Sequence, residues 1–252
     1  MCFMRTPLYP LALVGVLILA SCQKELSFES TIHNENEGTE TKYLTLGTWD
    51  SWGRPNYIVG TDVISSDLKY FLSNTFPAGS DLTLSHPELL SVTAKADIAL
   101  IKSSDVFITY VQNGAGITNT IAFYTYPTST PPLKTTDIKT ITYVFPNAGS
   151  GSTLDGGDKV KIGKFDAGTS IGFVLLQDGW NSTTGDLDNT GVHFYSTDLL
   201  NPEPDPSLKK HVISVQYAAE HKLLIGFEDV DRTRSDCDHD FNDVMFYVTI
   251  IP

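Results

Sequence analysis

The chain has 252 residues, with 17 Lys and Arg against 30 Asp and Glu, for a formal net charge of −13. That sign excludes nucleic acid and anionic lipid head groups as default partners, because an acidic surface cannot neutralise either. Hydrophobic residues make up 41% of the chain, enough to bury a core, and 13 Phe, 11 Tyr, 19 Gly and 13 Pro point to short strands joined by turns.

Residues 1–21 carry a single charge, Arg5, ahead of an apolar run from Leu11 to Ala20, and read as a signal peptide. The run is too short to span a bilayer as a helix. Leu19-Ala20-Ser21-Cys22 resembles a bacterial lipobox, which predicts cleavage before Cys22 and acylation of its thiol. Cys2 would leave with the signal and Cys22 would be capped, so Cys237 has no partner for an intramolecular disulfide. Gln23-Lys24-Glu25 loosely resembles the export signals of surface-exposed Gram-negative lipoproteins, which predicts an outer-membrane, surface-exposed lipoprotein. Residues 22–42 are polar, rich in Glu and without apolar period, and are expected to form a disordered tether holding the domain about 25 Å from the lipid.

From Tyr43 to Pro252 a period of two dominates. First comes one exception: Ile64, Leu68, Phe71 and Leu72 fall at helical spacing after possible caps Ser65 and Ser66, and Pro77 stops the pattern, which predicts one short helix over 66–74. Strands are predicted over 91–101, 106–111, 120–126, 140–145, 159–166, 170–177, 192–196, 211–218, 222–228 and 244–250. The apolar phase flips across Gly163, which predicts a bulge there. The Gly-rich pieces Gly114–Asn119 and Gly149–Gly157 lack the residues of a dinucleotide or phosphate loop and read as hairpin turns. Pro127–Pro132 and Asn201–Pro206 read as stiff surface loops within one domain, while residues 43–85 are left open as a small subdomain. The expected fold is all-β, an antiparallel β-sandwich or jelly roll with one short helix in the N-terminal part.

The strongest chemical signal lies between the last two strands. Residues 228–243 hold seven carboxylates, Glu228, Asp229, Asp231, Asp236, Asp238, Asp240 and Asp243, and such crowding is costly without a cation. Calcium takes six to eight oxygens from carboxylates and carbonyls, and Asp236, Asp238, Asp240, Asn242 and Asp243 supply them from one loop, with Glu228 and Asp229 closing the shell from the preceding strand. Phe241 and Tyr247 stand where an EF-hand needs Gly and Glu, so this is another kind of loop. A solvated acidic turn is the plain alternative. Zinc is the sharper rival, because Cys237 and His239 lie inside the loop, although in an extended stretch they point away from Asp236, Asp238 and Asp240.

Trp49, Trp52 and Trp180 sit among turn residues, where flat aromatics either stack on sugar rings or cap a core edge. Asp178 and Asn181 flank Trp180 and could complete a metal shell. Enzyme signatures are absent: the six His are scattered, and adjacent Glu228 and Asp229 in a strand would face opposite sides rather than pair across a glycosidic bond. The expected protein is not an enzyme.

Gly226-Phe-Glu-Asp229 with Asp238-His-Asp-Phe-Asn-Asp-Val-Met-Phe246 resembles the signature of the bacterial domain of unknown function 4114, and Phe165–Trp180 and His193–Ser196 resemble its earlier blocks. Trp49–Tyr57 and Gly114–Tyr126 are similar to LruC-type lipoproteins that carry this domain. The resemblance implies a β-rich domain on bacterial envelopes with a calcium site at the matching acids. Arg232-Thr-Arg234 stands where a Gly-rich turn would be expected. Together these readings predict a lipid-anchored, calcium-stabilised binding or adhesion module. The alternatives are a glycan-binding accessory lipoprotein or a structural envelope component, with the membrane, a glycan or an envelope protein as partner and no nucleic acid.

Overall fold

A computed structural model describes Met1 and residues 40–252. The signal segment, Cys22 and the tether up to residue 39 lie outside the described residues. In chain order the elements are β1 (Lys42–Thr45), β2 (Ile58–Thr61), α1 (Ser66–Thr75), α2 (Leu82–Ser85), β3 (Ile98–Ala99), β4 (Ser104–Gln112), β5 (Thr120–Pro127), β6 (Thr140–Phe145), β7 (Asp158–Phe165) and β8 (Thr169–Leu176). They continue with β9 (Trp180–Asn181), β10 (Asp186–Leu187), β11 (His193–Tyr195), β12 (Val212–Tyr217), β13 (Lys222–Phe227) and β14 (Val244–Ile251). None of the described helices is long and apolar enough to cross a membrane.

The strands form a β-sandwich of two six-stranded sheets. Sheet one runs β1-β6-β5-β8-β11 with β3 also on β8, and sheet two runs β12-β13-β14-β4-β7-β2. Alternation explains the stacking: Val106, Ile108 and Tyr110 of β4 and Val244, Phe246 and Val248 of β14 face Ile171, Phe173 and Leu175 of β8 in one core. Phe173 meets Phe246 edge-on at 5.1 Å between ring centres.

The other face of each sheet is also covered. On sheet two, α1 begins at Ser65, whose side chain accepts from the Leu68 amide, and lays Leu68 and Leu72 on Val111, Leu224, Met245 and Tyr247. Fully burying each leucine contributes about 1.5–3 kcal/mol. On sheet one, Gly172 lets the Tyr124 ring cross the strand, since an added Cβ would lie 2.2 Å from it. Residues 43–85 are built into both sheets, β1 on β6, β2 on β7 and α1 against sheet two.

The bulge falls at Gly163: Val106 pairs with Gly163 and Phe107 with Lys161, leaving Ile162 unpaired. Several expectations are corrected. β1 pairs with β6 in parallel, so the sandwich is not purely antiparallel. The 91–101 strand shrinks to β3. Gly114–Asn119 and Gly149–Gly157 do not close hairpins, because β4 to β5 and β6 to β7 each step from one sheet to the other. The loop 201–206 is not all surface either: Glu203 is buried and its carboxylate meets His211 Nε2 at 2.6 Å.

Candidate metal centre

The acidic loop joins β13 to β14, two neighbouring strands whose register runs from Leu223 opposite Val248 to Phe227 opposite Val244. Its two ends are pinned as the ladder closes: the Glu228 amide donates to His211 O at 3.0 Å and the Asp243 amide to Phe227 O at 3.1 Å. β13 ends at Phe227, so Glu228 and Asp229 lie past the strand and escape its alternation. The expectation that they face opposite sides is therefore corrected. Oxygens of Glu228, Asp229 and Asp243 lie within 4.8 Å of one another, as do oxygens of Glu228, Asp238 and Asp240.

Glu228 belongs to both sets and is buried, with 1% of its surface exposed. Its Oε2 has no hydrogen-bond partner. A buried carboxylate oxygen left without a donor is costly, a cost that a bound cation would offset. Calcium–oxygen bonds of about 2.4 Å place opposed ligand atoms about 4.8 Å apart, and the separations within either set stay inside that span.

The other oxygens are held in place. Asp240 is buried and accepts from the Gly79 amide at 2.7 Å, the Asn242 amide at 3.0 Å and Asn242 Nδ2 at 2.9 Å. Asn242 thus orients Asp240, and Gly114 is required beside it, since a Cβ there would stand 2.2 Å from Asn242 Oδ1. Asp229 Oδ2 accepts from Asn119 Nδ2, its carbonyl from Gln177 Nε2 at 2.8 Å, and its amide donates to Asp243 Oδ2 at 2.9 Å. Asn119 is fully buried and its own Oδ1 has no partner, a second orphaned oxygen beside Asp229.

Burial and mutual repulsion show in the acidities. Burial pushes the Glu228 carboxyl up to about 7, with the charges of Asp238, Asp240 and Asp229 adding to it. Burial and then the charges of Asp229 and Glu228 push Asp243 up to about 9. Asp229 and Asp240 are raised in the same sense, burial again first. A divalent ion reverses this by favouring the charged forms.

Asp236 stands apart from both sets: it is exposed and forms an ion pair with Arg234 at 2.6 Å. Cys237 and His239 do not point away as an extended loop would require, because His239 and Phe241 take left-handed backbone angles of 58° and 55°. They form a third set with Glu228, their Sγ and Nδ1 being 3.0 Å apart. That set holds one S and one N donor, short of a structural zinc shell, and Arg232 Nε lies 3.3 Å from the same His239 Nδ1. Where a Gly-rich turn was expected, Asp231 builds the turn itself, its Oδ1 accepting from the Thr233 amide at 2.8 Å and hydroxyl at 2.7 Å. Asn181 Oδ1 likewise accepts from the amides of Thr183 and Thr184, and Asp178 is exposed.

Residues 165–250 match the model of the family described as a domain of unknown function (DUF4114). This second part of the sandwich is similar to that family, and the match covers 86 of the 252 residues. No curated protein and no solved structure matches the chain. The DUF4114 segment holds every acidic residue of the centre, yet β14 pairs with β4 and β8 with β5, both upstream of it. Asn119 is upstream too. It is the residue that sequence reading missed, since an Asn closing a Gly-rich turn carries no sign of a distant acid.

Among the tryptophans, Trp180 is 2% exposed, which leaves its ring closed to a sugar, whereas Trp52 is 62% exposed. Trp49 is half-buried, its Nε1 donating to Gly185 O at 3.2 Å.

Proposed function

We propose that this protein is a lipid-anchored envelope component whose β-sandwich is stabilised by calcium in the 228–243 loop and works as a binding or adhesion module. The observation that carries the metal part is Glu228: a buried carboxylate with an orphaned oxygen, shared by two sets of hard oxygen ligands. Glu228, Asp229, Asp238, Asp240 and Asp243 would hold the ion, with Asn119 and Asn242 fixing the carboxylates. A hard, all-oxygen donor set favours calcium over zinc. Calcium bound only by the folded state would tie the stability of the sandwich to the ion content of its surroundings. Cys237 meets His239 inside the loop, but burial and then the charge of Glu228 hold the thiol well above its ordinary range, against a reactive thiolate, and the reading is of a binding protein rather than an enzyme.

The test is thermal unfolding after chelation with EGTA, with calcium, magnesium or zinc then added back. A saturable, calcium-selective rise in midpoint supports the reading. No rise with calcium, or a larger one with zinc, defeats it.

A further inference from the structure

Outside the acidic loop, a second feature offers a surface for a ligand. An open cleft of about 430 Å³ is lined by Trp49, Asp50, Trp52, Ser182, Thr183 and Thr184. One wall is the turn 49–55, closed by the Trp49–Pro55 bridge and by Asp50, whose Oδ1 accepts from the Trp52 amide at 2.8 Å and the Arg54 amide at 3.0 Å. The turn is anchored to the body, since Asn147 Nδ2 donates to Trp52 O at 3.2 Å. Gly53 makes that approach possible: it takes φ of 82°, and a Cβ there would stand 2.6 Å from Asn147 Cβ. The other wall is the turn capped by Asn181 and tied to the first by the Trp49 to Gly185 hydrogen bond.

A large indole held in the open by a fixed backbone is unusual, because a tryptophan normally hides most of its apolar area. Rigid aromatic surface flanked by hydroxyls and one carboxylate offers an apolar face and hydrogen bonds at little ordering cost. The lining carries no Lys or Arg, so it has nothing for phosphate or sulfate. The ligand that matches is neutral, polyhydroxylated and apolar on one face, which describes a pyranose ring.

We propose that this cleft binds a neutral carbohydrate chain, one sugar ring stacked on Trp52 and its hydroxyls bonded by Asp50, Ser182 and Thr183. The proposal names a ligand for the binding role above but does not depend on the metal, since no acidic residue of the 228–243 loop lines the cleft. The test is affinity electrophoresis of the full-length protein in gels containing β-glucan, xyloglucan, galactomannan, α-mannan or amylopectin, with and without calcium, alongside a polyproline peptide followed by Trp fluorescence. Retardation by at least one polysaccharide is expected, weakened about tenfold or more in Trp52→Ala and retained in part in Trp52→Phe. Trp52→Ala should keep the parent's thermal midpoint, so the loss would report the cleft and not the fold. Absence of retardation by every polysaccharide, retardation unchanged in Trp52→Ala, or binding of the polyproline peptide alone would overturn it.

Discussion

Asn119 donates its side-chain amide to Asp229 across 110 residues of sequence, and does so from a fully buried position. The pair locks the connection between β4 and β5 onto the end of β13, so the acidic cluster is framed both by the DUF4114 segment and by the chain before it. Asn119→Ala removes the donor and leaves a buried carboxylate less satisfied, at a cost of about 1–3 kcal/mol. Urea unfolding in EGTA should show that loss, and calcium titration should show weaker binding. A variant as stable as the parent in both would mean that Asp229 is satisfied by other means.

Glu228→Gln keeps shape and removes charge. The rise in midpoint that calcium gives the parent, about 2.7 kcal/mol of stabilisation at a hundred times the dissociation constant, should disappear. In EGTA the variant should be no less stable than the parent, because a buried charge has been neutralised. Asp236→Ala, at an exposed residue paired with Arg234, should leave the calcium response intact, and differential scanning fluorimetry on both variants separates a true ligand from a neighbour.

The raised acidities give a pH dependence with a definite sign. Unfolded carboxyls titrate near 4, whereas folded Glu228 titrates at about 7 and Asp243 at about 9. Between those values the folded metal-free state holds more protons than the unfolded one, so stability from these groups is fullest below about pH 4 and is lost as pH rises through 7 and then 9. In EGTA the protein should unfold at lower urea at pH 8 than at pH 5. Calcium bound at the proposed site would displace those protons, so its stabilisation should grow over the same range. A calcium effect equal at both pH values would show that these carboxyls are not its ligands.

Residues 165–252 expressed alone should not fold, although they contain the whole DUF4114 match. The segment lacks β4 and β5, the strands that pair with β14 and β8 in the middle of each sheet, and would expose two unpaired edges. Circular dichroism and gel filtration of this fragment check the prediction. A cooperative melt would mean that the second half forms a unit by itself.

Much of this was legible because alternation survives burial. Val106 to Val111, Ile141 to Phe145 and Val244 to Ile250 declared their strands, and Ser65 with Leu68 and Leu72 declared the helix, since each pattern is local and repeats within the element. β1 escaped because four residues paired at one edge have no period long enough to see, and its parallel sense depends on β6, nearly a hundred residues away. The loop was visible as a concentration of charge, but not which acids converge: that depends on where β13 stops and on left-handed angles at His239 and Phe241, which no composition encodes. Asp236 looked equivalent to Asp238 and Asp240 in sequence and is set apart by its pairing with Arg234.

The place of β14 between β13 and β4 has a kinetic side. The strand that carries Asp243 into the fold must slot between one neighbour made just before it and another whose Ile108 and Val106 meet its Val248 and Ile250 from far back in the chain. Until it arrives, sheet two is split down its middle and the acids of the loop have no frame to gather on. Contacts of such long range close slowly. Gathering of the acidic cluster is thereby tied to closure of the sheet, and an ion captured by the loop would act as a latch on that closure.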